Sequence, residues 1–207
     1  MRRLELLLLI LLTIAAPAFA LDLPELAALL AQRKSGEARF TEERFVSGFD
    51  GPLLASGTLS FAVPDRFARR TTEPREESMV VEGNNLVLKR GGRTRQMAVD
   101  AVPELNVLIE AMRGTLMGDA PALRRHFHVQ VEGAPARWTL TLKPRDARLA
   151  TQLHEIKIIG LASDVRSVEL WLNGGDRSVM AIEPAIEPAI EPAIEPQPSA
   201  PARQAPK

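Results

Sequence analysis

The chain has 207 residues, with 26 basic side chains balanced by 26 acidic ones, no cysteine, no tyrosine and only 4% aromatics. Neutrality speaks against nucleic-acid binding, which selects a basic surface, and the scarcity of aromatics argues against a stacking platform for bases or sugars. Without cysteine there is no disulfide staple and no lipid-modified amino terminus.

Arg2 and Arg3 open the chain, an almost unbroken apolar run fills residues 6–16, and Ala18, Phe19 and Ala20 follow. A basic start, a short apolar core and an A-x-A close form a secretory signal over residues 1–20. The core is too short to span a bilayer of about 30 Å. Cleavage near Ala20 is expected to release a mature form that works outside the cytoplasm, with a net charge near −1 once Arg2, Arg3 and Glu5 are gone. Residues 21–183 are expected to form one domain, large enough to bury about two thirds of its unfolded surface without metal or disulfide.

Asp22 can cap a short amphipathic helix through about Gln32, with Leu23, Leu26, Leu29 and Leu30 on one stripe, and Gly36 ends it. A period near two then predicts strands over 38–45, 55–63, 66–72, 78–82, 86–90 and 94–99. The breaks fall at Gly51-Pro52, Pro64-Asp65, Glu73-Pro74, Gly83-Asn84 and Gly91-Gly92, residues that favour hairpin turns. Leu105, Leu108, Ile109, Met112 and Leu116 recur at helical spacing and predict a helix over 103–117; Asp119 caps a shorter one ending near His126. Strands resume over 127–132, 137–142, 153–159, 165–172 and 177–182. The predicted fold is mainly β (α+β), a single curved antiparallel sheet of about eleven strands with one helix before it and two inserted midway.

From Ala181 the unit Ala-Ile-Glu-Pro occurs four times, ending at Pro196. Proline at every fourth position excludes helix and interior strand, so residues 184–207 are expected to be a disordered, extended tail of about 3 Å per residue. Such a tail is a spacer or docking segment, or a repeat expansion without a specific role.

A curved sheet must cover its concave face, and helices of about three turns close over part of it without filling it. The alternating positions expected to face inward are Phe40, Leu59, Phe61, Phe67, Met79, Val81, Leu86, Leu88, Met97, Trp138, Leu140, Leu142, Ile156, Ile158, Leu170 and Leu172. The helix adds Leu105, Leu108, Ile109, Met112 and Leu116. Periodicity alone fits an ordinary core or a lining for acyl chains, and methionine suits both. The strand over 66–72 carries Arg66, Arg69 and Arg70. Arg69, if it points inward with Phe67, would meet an anionic headgroup at a cavity mouth; on a solvated edge strand the same charges discourage sheet pairing. Glu42 and Glu43 place one carboxylate inward and one outward.

Signals for catalysis are weak. His126 and His128 are expected to share a strand face with His154 far away, and no carboxylate completes a recognised metal site. There is no G-x-S-x-G elbow, cysteine nucleophile or glycine-rich phosphate loop. No catalytic residue, metal or cofactor is therefore expected.

The segments 38–44 (ARFTEER), 56–67 (SGTLSFAVPDRF), 72–74 (TEP), 77–83 (ESMVVEG) and 138–144 (WTLTLKP), in this order, resemble the periplasmic outer-membrane lipoprotein carriers, the LolA-like proteins, over residues 22 to about 182. The resemblance implies an incomplete β-barrel lidded by short helices and a non-enzymatic carrier, a monomer in the periplasm of a Gram-negative bacterium. Its cargo would be an acylated lipid or lipoprotein, handed from an inner-membrane exporter (ABC or RND-type) to an outer-membrane acceptor. It would be held by the inward-facing residues above other than Leu86, Ile156, Ile158, Leu170 and Leu172. Where the carriers have an arginine before the proline of the second hairpin, this chain has Val63; where they end in an extra strand, it has the Ala-Ile-Glu-Pro tail. Both departures resemble the divergent branch found beside acyltransferases and RND-type exporters. The alternative is a lipid-sensing regulatory or partner-binding module of the cell envelope with the same half-barrel.

Overall fold

The computed structural model describes residues 21–185. The secretory signal and its cleavage, and the tail beyond Ala185, lie outside the described residues. Eleven strands form one antiparallel sheet: β1 (Ser35–Phe45), β2 (Leu53–Ala62), β3 (Arg66–Glu73), β4 (Glu77–Glu82), β5 (Asn85–Arg90), β6 (Arg93–Ala98), β7 (Phe127–Ala134), β8 (Arg137–Pro144), β9 (Leu153–Leu161), β10 (Asp164–Leu172) and β11 (Arg177–Pro184). Each expected strand is present, most of them a residue or two longer than the turn residues suggest.

The spatial order is β6-β5-β4-β3-β2-β1-β11-β10-β9-β8-β7. Consecutive strands are therefore neighbours in space except β6 and β7, and β1 pairs with β11, from Ala38 opposite Pro184 to Phe45 opposite Arg177. The sheet is open, and its edges are β6 and β7. Those two strands flank the helical insertion, made of a 3₁₀ turn (Val99–Ala101), α2 (Pro103–Met117) and α3 (Ala120–His126). The insertion connects the two edges across the concave face.

Local chemistry sets the helix ends. For α1 (Leu23–Leu30), Asp22 accepts from the Glu25 backbone at 2.8 Å while Glu25 accepts from the Asp22 backbone at 3.1 Å, a reciprocal capping box. The helix ends at Leu30, two residues short of the expected Gln32. Gly36 does not stop it: the glycine lies inside β1. Asp119 caps α3 through the Ala122 N–H at 2.9 Å. A further single turn, α4 (Ala147–Ala150), is capped by Asp146 and is not expected from periodicity, since four residues cannot display a helical period. His126 is the last residue of α3 and not a strand partner of His128.

The last strand runs two residues past the expected end at 182, into the position where the tail was expected to begin. Residues 181–184 complete β11, which lies between β1 and β10 in the interior of the sheet. Pro184 is the final residue of that strand and stands opposite Ala38 in a non-hydrogen-bonded pair, the Ala185 N–H donating to the Glu37 carbonyl, so the ladder to β1 loses no bond at the proline.

Two apolar clusters hold the helices down. The larger joins α1 and α3 to β7, β8 and β9 through Leu26, Leu123, Phe127, Trp138, Leu140 and Leu142, all nearly inaccessible. The smaller packs Val81, Leu86, Val99 and Ile109 at the opposite end, with Leu88, Met97 and Leu105 around them. Helix α2 ends at Gly118, which has φ +66°, and a Cβ there would stand 2.0 Å from the Ala27 carbonyl oxygen of α1. Only glycine meets both conditions, the left-handed backbone and the close crossing. Gly118→Ala is expected to destabilise the fold by at least about 2 kcal/mol, lowering Tm by about 4–8 °C in a thermal melt followed by circular dichroism.

Candidate functional site

Between the two clusters, beneath α2, lies a cavity of about 350 Å³, within the range of small-molecule pockets. Small residues create the room. The central strand β1 turns Gly36 and Ala38 toward the concave face, and β11 turns Ser178 there. A Cβ on Gly36 would come within 2.7 Å of the Phe61 ring, so a side chain at that position would push the ring aside.

Of the sixteen residues expected to hold cargo, nine line the space: Leu59, Phe61, Phe67 and Met79 from the sheet, and Leu105, Leu108, Ile109, Met112 and Leu116 from α2; Ile156, Ile158 and Leu170, expected to face inward but not to hold cargo, line it too. Seven others lie elsewhere. Val81, Leu88 and Met97 belong to the smaller cluster, and Trp138, Leu140 and Leu142 to the larger. Phe40 is buried beneath the Arg69 guanidinium, which stands 4.6 Å above its ring. Trp138 is held away because its indole N–H needs a partner: it donates to the Ala162 carbonyl at 2.8 Å, with the ring against Gly160. Strand alternation shows which face a residue shares, but not whether a helix fills the space opposite it. That is why the two groups look alike in sequence.

Several lining residues escape apolar patterning: Gly36, Ala38, Glu42, Ser178, Met180, Ile182 and Pro184. Parity was the available signal. The β11 members occupy every second position from 178 to 184, and Glu42 shares its face with Phe40.

Polar groups gather toward two ends of the cavity. Glu42 is 4% exposed and accepts from Ser178 Oγ at 2.6 Å, from Arg44 at 3.2 Å, and from Arg69 in a close ion pair. Burial pushes its carboxyl up, but the Ser178 hydrogen bond and the charges of Arg69 and Arg44 together outweigh that and hold it below the ordinary glutamate value. Arg69 points inward with Phe67, as the strand pattern allowed, and its Nε is buried with no hydrogen-bond partner among the described residues. At the opposite end, Asp164 binds both Arg33 and, at 3.1 Å, Arg166. Between these ends Thr115 returns its hydroxyl to the Ala111 carbonyl at 2.8 Å, so its face toward the cavity is apolar.

Helix α2 is also tied by polar contacts. Arg113 donates to the Gly83 carbonyl and, at 3.4 Å, to the Asp65 carbonyl, reaching the β4–β5 and β2–β3 turns. Val63, in the second of these turns, has no charge to offer the helix, and the arginine comes from the helix instead. Away from the cavity, the β1–β2 hairpin leaves Phe49 and Leu54 more than 60% exposed.

A family model described as outer membrane lipoprotein carrier protein LolA-like matches residues 15–193. The chain belongs to that family. No curated protein matches it by sequence. Among solved structures, a LolA superfamily protein from Nitrosomonas europaea is similar at 11% identity and a TM-score of 0.41, over 78% of this chain and 90% of that one. A DUF1329 family protein from Desulfovibrio piger is similar at 8% identity and a TM-score of 0.42, over 81% and 93%. The MucA/MucB complex of Pseudomonas aeruginosa is similar at 14% identity and a TM-score of 0.38, over 82% of this chain and 59% of that one. At these scores the three likenesses carry no argument about the site. The LolA-like fold is read from the open eleven-stranded sheet and its helices.

Removing one partner of a buried ion pair leaves the other charge uncompensated. Because Glu42 keeps Arg44 and Ser178, Arg69→Met is expected to cost less than that full penalty, about 1–3 kcal/mol in urea unfolding at pH 7, and Glu42→Gln combined with it less still. Because Glu42 has its carboxyl lowered in the folded state, the unfolded chain binds more protons in acid. Its contribution is complete above the unfolded glutamate value of about 4.3 and is lost as pH falls through the folded one. Glu42→Gln should flatten the acid limb of a stability-versus-pH curve. An unchanged limb would mean that the ion pair is energetically idle.

Proposed function

We propose that this LolA-like protein binds acyl chains of a lipoprotein or other lipid in the cavity beneath α2 and carries them across the periplasm between inner and outer membrane. The observation that supports it is the distribution of polarity: an apolar space walled by sheet and helix, with charged groups confined to its two ends. Each CH₂ moved from water into such a space contributes about 0.8 kcal/mol, so chain length governs affinity. Arg69, with a buried Nε free of partners among the described residues, is the proposed contact for an ester carbonyl, carboxylate or phosphate near the headgroup.

Entry requires α2 to move aside, since Leu105, Leu108, Ile109, Met112 and Leu116 are its contribution to the wall. The Arg113 contacts to the two turns are what such a motion breaks. A site with few polar contacts lets partner proteins shift the equilibrium at loading and unloading. Loading is assigned to an inner-membrane exporter and unloading to an outer-membrane acceptor. The working form is a secreted monomer that reads no nucleic acid and performs no chemistry on its cargo.

A native mass spectrum of protein purified from its own periplasm is expected to show adducts with the masses of acylated lipids, and a clean apo mass under lipid-retaining conditions would overturn the proposal. In titrations with a fluorescent fatty acid, Leu108→Asp should weaken binding at least tenfold, because it sets a charge in the apolar wall. Affinity equal to that of the unmodified chain would place the probe elsewhere.

A further inference from the structure

The segment 83–98, which holds β5, β6 and the turns that precede them, contains no carboxylate and four cations: Lys89, Arg90, Arg93 and Arg95. The strand register divides them unequally between the two faces. Arg69 stands opposite Met79, which lines the cavity; Met79 stands opposite Leu88, and Leu88 opposite Arg95. In the adjoining row Glu77 stands opposite Arg90, and Arg90 opposite Arg93. Three arginines therefore share the concave face, on the side where Glu42 and Arg69 close the cavity, and Lys89 alone turns to the convex face. All three are exposed.

The carboxylates on this part of the face are Glu42, Glu73 and Glu77. Glu42 is taken by Arg69 and Arg44, and Glu77 accepts from Arg90 Nε at 2.8 Å. Glu73 ends β3, with β4 and β5 between it and β6. Arg93 and Arg95 make no ion pair among the described residues. Like charges directly opposite in a ladder destabilise it, and Arg90 and Arg93 are such a pair. Protecting an edge strand calls for charge, but not for one sign gathered on the face that carries the cavity. An anion bridging the guanidinium groups removes the repulsion. Arg93 and Arg95 are about 7 Å apart along the strand and Arg90 is about 5 Å across from Arg93, so one compact group can accept from all three. A phosphate monoester suits them, with a charge of about −1.5 to −2 and three acceptor oxygens. Arg95 lies two strand spacings, about 10 Å, from Met79, and the length of its side chain closes much of that gap.

We propose that Arg90, Arg93 and Arg95 hold the phosphate of a lipid whose acyl chain lies in the cavity, so that the cargo class is acylated lipids with a phosphate monoester headgroup. The assignment rests on the acyl-binding role of the cavity. Contacts at an exposed site are weak singly, but a phosphate joined to a bound chain acts at an effective concentration in the millimolar range. The cavity then reads chain length and the arginines read charge.

Two lysolipids with the same oleoyl chain separate these contributions. Lysophosphatidic acid ends in a phosphate monoester, whereas lysophosphatidylcholine is zwitterionic. Each is titrated below its micelle concentration, so that no lipid surface is present, into the mature chain and into the triple variant Arg90→Gln, Arg93→Gln, Arg95→Gln. The unmodified chain should bind lysophosphatidic acid more tightly by about tenfold or more, the effect of one or two charged hydrogen bonds. The triple variant should lose most of that ratio and keep its affinity for lysophosphatidylcholine, while Lys89→Gln keeps the ratio. Equal affinity of the unmodified chain for the two lipids, or a ratio that survives the triple substitution, overturns the headgroup assignment and leaves the acyl-binding role standing. Binding of neither lipid overturns both. Glycerol 3-phosphate alone should not bind measurably at the same concentrations; affinity equal to that of the lysolipid would make this a site for free phosphate esters and overturn the lipid assignment.

Discussion

The pairing of β1 with β11 is the constraint on which the rest of the fold depends. Without it the chain would be two separate meanders, β1–β6 and β7–β11, joined by helices. With it they become one sheet, and the first and last strands lie at its centre. The entropic cost of bringing residues 38 and 184 together grows only with the logarithm of the intervening length. Eight residue pairs of ladder repay it. The consequence for the helices is topological. Once the terminal strands are central, β6 and β7 must be the edges, and the segment joining them has to cross the open side of the sheet.

That crossing explains why the protein has a cavity where a simple sandwich would have a continuous core. α2 has 15 residues, so it is about 22 Å long. It engages the smaller cluster through Ile109 and the larger through Ala111. The middle strands lie between the two clusters, and there the concave face carries Gly36, Ala38 and Ser178 among its apolar side chains. Space left by small residues in a close-packed interior forfeits dispersion contacts. A fold that keeps such space has retained it against stability, which fits a binding site better than a structural interior.

The buried Glu42 belongs to the same trade. A carboxylate with Arg69, Arg44 and Ser178 around it is satisfied, yet such a cluster rarely stabilises more than apolar packing of the same volume. Its effect is to give one end of an otherwise apolar cavity a fixed polarity. The guanidinium that neutralises Glu42 keeps donors to spare, so the same residue can serve the folded chain and a ligand.

Much of this was legible in the sequence because it is local. The eleven strands announce themselves through alternation and through Gly, Pro and Asn at their ends, and the helices through Asp22, Asp119 and the leucine spacing of α2, all of them interactions within a few residues. Even the apolar face of each strand follows from parity. Long-range geometry decided the rest. Trp138 and Leu59 carry the same alternating signature, but one is sealed against Gly160 and the other borders open space, because α1 and α3 cover β8 while only α2 passes over β2. Arg69 fitted an inward headgroup contact and a solvated edge-strand charge alike; its pairing with Glu42, 27 residues away, is long-range geometry. The last strand was expected to stop at 182 and the tail to begin at 184, since proline periodicity forbids regular structure along the repeat. Only β1 beside it, from the other end of the chain, carries the strand on through Glu183 and Pro184.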